Sequence, residues 1–141
     1  IQYRGQLTGT QISACQWETT SANKTLVLGS LPSVSAGTFI VRAGDFCQVG
    51  RYSYIATADV VRGSGTTVNI PVHRNLIDAL VSPVAAVIGE YGTTISMGGS
   101  TYTGVTFPVI LRDYPTYTLQ PITNDSFINW NGTFKAFEAV L

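Results

Sequence analysis

The chain contains a single histidine, His73, so any imidazole chemistry would have to be built around it. Its nearest acids along the sequence, Asp59 and Asp78, stand at neither metal-site nor triad spacing, and a surface or structural role is expected for it. Paired carboxylates could hydrolyse glycosides if Asp113 and Asp125 or Glu90 converged, but any eight acids scattered over a β-rich chain offer such pairs. Gly98-Gly99 and Gly63-Ser64-Gly65 lack the strand-to-helix setting and the following Lys or Ser/Thr that cradle phosphate, and turn formation accounts for them. No catalytic, cofactor-binding or metal-ligating residue is therefore expected, and no enzymatic activity.

Trp17, Trp130 and the seven tyrosines would stack on sugars if several shared one surface, but packing in a core and at subunit interfaces is the stronger expectation. Asn23-Lys24-Thr25, Asn124-Asp125-Ser126 and Asn131-Gly132-Thr133 match the glycosylation sequon, which matters only in a eukaryotic secretory pathway. Cys15 and Cys47 permit one disulfide in an oxidising compartment or two buried thiols in a reducing one. Alternation places Cys47 with Val49 and Cys15 with Trp17, which favours burial.

A chain of 141 residues lies within the size of one domain, and a single β-domain over 1–141 is expected. Only 11% of the residues are charged, against a globular norm of about 25%, so the surface takes its polarity from Thr, Ser, Asn, Gln and Gly. Such a surface is weakly solvated and suits burial against neighbours. Lys plus Arg equals Asp plus Glu at eight each, which leaves no excess of positive charge to collect phosphates, and nucleic acid is not an expected partner. No apolar run approaches the roughly 18 residues of a membrane-spanning helix, and no membrane or small-molecule partner is expected. Ile1-Gln2-Tyr3-Arg4 has neither a basic nor an apolar leader region and no initiator Met, so a segment upstream is expected to have been removed or left out.

These residues must be positioned by strands. Stretches rich in β-branched and aromatic residues at 25–28, 38–41, 46–49, 52–61, 66–70, 84–88, 105–111, 116–119 and 133–141 are separated by Gly, Pro, Ser or Asn. That pattern predicts an all-β fold, an antiparallel sandwich or barrel. The clearest hairpin runs from 52–61 through Arg62-Gly63-Ser64-Gly65 into 66–70. Helical spacing occurs only from His73 to Leu80, where Leu76, Ile77 and Leu80 share one side, predicting at most one short helix. The Gly-rich segment 91–104 reads as a projecting hairpin or loop. The C-terminal segment alternates, with Phe134, Ala136, Glu138 and Val140 on one face and Lys135, Phe137, Ala139 and Leu141 on the other, and is expected to be tied into a sheet.

The run Val41-Arg42-Ala43-Gly44-Asp45-Phe46-Cys47-Gln48-Val49-Gly50, followed by Thr57-Ala58-Asp59-Val60 and a strand closing near Arg74, resembles minor tail and distal tail proteins of tailed bacteriophages. Their chains also commonly finish on the pattern F-x-A-x-E-A, here Phe134-Lys135-Ala136-Phe137-Glu138-Ala139. The likeness covers roughly 26–70 and the last ten residues. The insertion at 91–103 is not part of the pattern, and larger members carry a β-rich segment ahead of it. Physically the motif is turn chemistry: Gly44 and Asp45 favour a tight bend, and Gly50 lets the chain reverse. The resemblance implies a structural subunit of a tail tip, distal ring, collar or baseplate, without catalysis. Its partners would be other copies in a three- or six-fold ring and neighbouring tail proteins, in a virion tail assembled in the host bacterial cytoplasm. The rival reading is a chaperone-assembled pilus or secreted adhesin subunit, in which Cys15 and Cys47 form a disulfide and strand donation makes the fibre.

Overall fold

The computed structural model describes residues 2–21, 23–92, 94–112, 116–122, 125–131 and 135–139, with the backbone alone for 97, 116–122 and 125–131. The chain groups into two compact units, Ile1–Phe107 and Pro108–Leu141. The fold is all-β, and the strand pairings among the described residues are antiparallel.

The first unit begins with helix α1 (Gly9–Ala14) and strand β1 (Gln16–Trp17), then β2 (Thr25–Gly29), β3 (Phe39–Val41), β4 (Phe46–Val49) and β5 (Tyr52–Ile55). It continues through β6 (Val60–Val61), β7 (Val68–Pro71), β8 (Val84–Ala85), β9 (Val87–Ile88), β10 (Thr94–Met97) and β11 (Ser100–Thr103). A four-stranded sheet has the order β7-β2-β1-β8, a three-stranded sheet the order β5-β4-β9, and β3-β6 and β10-β11 are two-stranded. Side chains from both larger sheets and from α1 join one core: Trp17, Leu26, Leu28 and Ile70 from the first, Cys47, Tyr54 and Ile88 from the second, and Ile12 from the helix. Each such burial stabilises the fold by about 1.5–3 kcal/mol for a large apolar side chain. Trp17 is fully buried, and its indole Nε1 donates to the Gln48 carbonyl at 2.8 Å, so its polar atom is satisfied across the two sheets.

The second unit contains β12 (Val109–Leu111), β13 (Thr116–Ile122), β14 (Asp125–Asn131) and β15 (Ala136–Glu138). They form two separate ribbons, β13-β14 with Thr116 opposite Asn131 and β12-β15 with Val109 opposite Glu138. Among the described residues the C-terminal strand β15 is thus tied to β12. No helix among the described residues is long and apolar enough to cross a membrane.

Two local expectations are corrected. The short helix predicted from His73 to Leu80 does not form, because its amides are taken by other elements. His73 N donates to Ile55 O at 3.0 Å, Leu76 N to Asn23 O at 2.9 Å, Ile77 N to Tyr54 Oη at 3.1 Å and Leu80 N to Thr20 O at 3.1 Å. The one helix among the described residues lies instead at 9–14, started by a capping box: Gln11 N donates to Thr8 Oγ1 at 3.3 Å and Thr8 N to Gln11 Oε1 at 2.8 Å. The hairpin predicted over 52–70 is also replaced. Its outgoing strand breaks into β5 and β6; β6 pairs with β3 and β7 with β2, and the two limbs are bridged at Ala56–Val72.

The glycine turns of the Ala-Gly-Asp-Phe run do form. Asp45 N donates to Arg42 O at 2.9 Å, closing a turn in which Gly44 has φ +89° and Ala43 does not have positive φ, the sign pattern of type II. Gly50, with φ +58°, opens the two-residue connection between Val49 and Tyr52. A Cβ at Gly50 would meet nothing within 4 Å, whereas one at Gly44 would collide with the Arg4 guanidinium. Gly50→Val is accordingly expected to cost about 1–2 kcal/mol from backbone strain alone. Gly44→Val should cost more, because Arg4 must also move. Urea denaturation of both variants checks the ranking; equal midpoints for Gly44→Val and wild type would contradict the turn geometry.

Candidate functional site

Among the described residues one carboxylate is buried, Asp45, which makes it the natural first candidate for chemistry. Its oxygens are already occupied. Oδ1 accepts from Arg4 N at 3.1 Å and Arg4 Nε at 3.2 Å, and Oδ2 accepts from Arg42 N at 2.9 Å. A second carboxylate extends the cluster: Asp59 Oδ1 accepts from Ala43 N at 2.8 Å, and its other oxygen lies 4.0 Å from Arg42 Nη1. Every contact holds the 42–45 turn or the N-terminal segment, so the cluster acts as a structural clamp.

The other residues singled out by type lie apart. His73 is exposed and its Nδ1 accepts from Ile55 N at 3.0 Å, while Arg74 Nη2 donates to Ser53 O at 2.9 Å. Asp78 is exposed beside a small cleft of about 120 Å³ lined by Tyr52, Tyr54 and Leu80. The Glu90 carboxylate accepts from Tyr3 N. Asp113, Asn124 and Gly132 lie outside the described residues, as do the side chains of Asp125, Trp130 and Asn131. Asn23 uses its side-chain oxygen to accept from Thr25 N at 2.9 Å. The glycines at 63 and 65 are exposed in the connection between β6 and β7, and Gly98-Gly99 forms the turn between β10 and β11. Trp17, Tyr3, Tyr52 and Tyr54 are buried, so no sugar platform can be assembled from them; Tyr102 is exposed. No three His, Cys, Asp or Glu among the described residues gather closely enough to hold a metal ion.

Cys15 and Cys47 are buried and unbonded, contrary to the disulfide that the pilus reading requires. Cys15 Sγ donates to Gln11 O at 3.3 Å. Burial pushes both thiols upward from their ordinary value, and the Asp45 charge adds to the rise at Cys47, so neither is an activated nucleophile. Tyr3 belongs to the same region: its hydroxyl donates to Ile40 O and accepts from Leu7 N at 3.2 Å, and burial pushes its pKa up to about 12.

The feature that does face outward is the hairpin β10-β11, a ladder from Thr94 opposite Thr103 to Met97 opposite Ser100. Thr94, Ser96 and all of β11 are exposed. Its base, by contrast, is fixed. Ile88 and Tyr91 exchange backbone hydrogen bonds at 3.0 Å, Val105 N donates to Gly89 O at 2.9 Å, and Tyr91 packs edge-on to Tyr3 with ring centroids 6.0 Å apart. A Cβ at Gly104 would stand 2.7 Å from Glu90 Cα, so the returning strand can approach only as glycine, and its φ of +107° requires the same. Beyond it the chain is stitched to the β4-β5 hairpin by side chains. Thr106 N donates to Gln48 Oε1 at 2.7 Å, Gln48 Nε2 to Thr106 Oγ1 at 3.0 Å, and Ser53 Oγ to Thr106 O at 2.7 Å, while Phe107 packs edge-on to Phe46 at 5.5 Å. Strand alternation in the sequence carries no sign of this stitching, since Gln48 and Ser53 are polar residues at buried positions.

No protein family, curated protein or solved structure matches this chain.

The thiols and Tyr3 set the alkaline limit of the fold. Their folded pKa values lie above the ordinary 9.0 and 10.0, so the folded state holds these protons more tightly than the unfolded state. The Tyr3 contribution is complete below about pH 10 and is lost as pH rises through about 12, and that of the two thiols is complete below about pH 9 and is lost as pH rises beyond it. Urea midpoints should be level from about pH 7 to 8.5 and then fall, with a shallower fall above about pH 10 in Tyr3→Phe. A midpoint rising with pH in that range would contradict these burials.

Proposed function

We propose that this protein is a structural subunit of a tailed-bacteriophage tail, in the tail tip, distal ring, collar or baseplate. It acts by contact with other copies of itself and with neighbouring tail proteins, and catalyses nothing. The observation that carries the reading is the β10-β11 hairpin: an exposed ladder with no third strand among the described residues, held at its base by glycine close packing and backbone hydrogen bonds. An open pair of strands is a template for a partner strand or loop, which main-chain hydrogen bonds can recruit. The low charge of the chain favours the same use of its surface, because few charges must be desolvated on contact. Two unbonded buried thiols suit assembly in a reducing bacterial cytoplasm. The turn geometry at Gly44 and Gly50 supports the motif on which the resemblance to tail proteins rests.

In a ring of three or six copies each contact would repeat head to tail around the axis and bury on the order of 1,000 Å² or more. Removing residues 95–101 trims the exposed part of the hairpin and leaves its anchors at 88–91 and 104–107 in place. The deleted chain should keep its β-sheet circular dichroism and fail to enter tails. Infectious particles containing the deleted chain would refute the role of the hairpin in assembly.

A further inference from the structure

The small cleft beside Asp78 takes its walls from two separate stretches of the first unit. One wall is the β4-β5 turn, where Gly50 and Arg51 join Val49 to Tyr52. The other is the segment 78–80, with Val84 beyond it. Main-chain bonds hold the second wall in place. Leu80 N donates to Thr20 O at 3.1 Å and Thr20 N donates back to Leu80 O at 3.0 Å. Ile77 N donates at 3.1 Å to the hydroxyl of Tyr54, whose side chain is buried beneath the cleft with that of Tyr52. The hollow is therefore formed before anything enters it. At about 120 Å³ it is slightly smaller than a cavity of about 150 Å³ that admits benzene. It suits a branched aliphatic side chain and is too small for an indole.

Charge is scarce in this chain, at 11% of the residues, yet each wall of the cleft carries one charge, Arg51 on the first and Asp78 on the second. Both are exposed, and neither enters an ion pair with another described residue; the ion pairs there are Arg4–Asp45 and Arg42–Asp59. An apolar hollow edged by one cation and one anion is complementary to an aliphatic side chain flanked by an anion and a cation.

We infer that this cleft receives an aliphatic side chain from a segment of a neighbouring tail protein, in which an acidic residue beside that side chain meets Arg51 and a basic residue meets Asp78. The aliphatic group supplies the burial, against Tyr52, Tyr54, Leu80 and Val84. The two charges select the segment, because one carrying two acids or two bases would set like charges together at one wall. This inference rests on the assembly reading and names the chemistry of one contact within it.

Titration of the isotope-labelled full chain with short blocked peptides tests it, read by nuclear magnetic resonance at the amides of residues 50–52 and 78–80. A peptide with the core Glu-Leu-Lys should shift those amides saturably, with a Kd on the order of 1 mM. The core Glu-Ala-Lys should bind about tenfold more weakly, and Lys-Leu-Lys and Glu-Leu-Glu about threefold more weakly. Arg51→Glu makes both edge charges acidic and should put Lys-Leu-Lys ahead of Glu-Leu-Lys, and Asp78→Lys should put Glu-Leu-Glu ahead. A reversed order is a result that a misfolded variant cannot give. No saturable shift with Glu-Leu-Lys up to about 10 mM, equal binding of the Leu and Ala peptides, or an order that both substitutions leave unchanged overturns the cleft assignment. The assembly reading is tested separately, by entry of the chain into tails.

Discussion

The Asp45 carboxylate is buried, and a charge removed from water must be met by donors or by a counter-charge. Here it is met by two backbone amides, at Arg4 and Arg42, and by the Arg4 guanidinium. Those donors belong to the N-terminal segment and to the turn before β4, so satisfying one side chain fixes two distant stretches of chain. The same turn is tied to the end of β5 through Gly44 N to Ala56 O at 2.7 Å and Ala56 N to Asp45 O at 2.9 Å. From that point β4 and β5 run antiparallel into the core, and Tyr3, the residue next to Arg4, joins the same core as Cys15 and Cys47. The clamp thus sets the end of the three-stranded sheet against which the rest of the first unit packs.

A body held in this way frees its surface from the work of stability. Among the described residues the buried polar side chains, Asp45, Gln48 and Ser53, are committed to backbone groups, to Arg4 and to Thr106. What remains distinctive is main chain and apolar surface turned outward: the hairpin at 94–103 and the ribbon of 109–111 with 136–138. Both are the kind of surface that another polypeptide covers, and they lie in separate compact units, so a subunit could engage different neighbours through each.

Much of the all-β character is legible in the sequence because β-branched and aromatic runs separated by turn residues have few other solutions. Gly44 and Gly50 are legible because their turns are local: the conformation demanded of the residue is determined by its immediate neighbours. Residues 73–80 are misread because Leu76, Ile77 and Leu80 fall at helical spacing by burial alone, while their amides serve strands distant in sequence. The 52–70 hairpin is misread for a similar reason, since β6 and β7 each find a partner, β3 and β2, that no local pattern announces. The clamp at Asp45 and the stitching of Gln48 to Thr106 are illegible in principle, as both depend on contacts more than 40 residues apart that appear only once the sheets are built.

The central claim is that this chain works as one of several identical copies around the axis of a phage tail. Electron cryomicroscopy of particles that contain it measures this directly. The account predicts density for the chain repeated with three- or six-fold symmetry about the tail axis. Particles in which the chain occurs as a lone copy off the axis, or mature particles that lack it, would contradict the account.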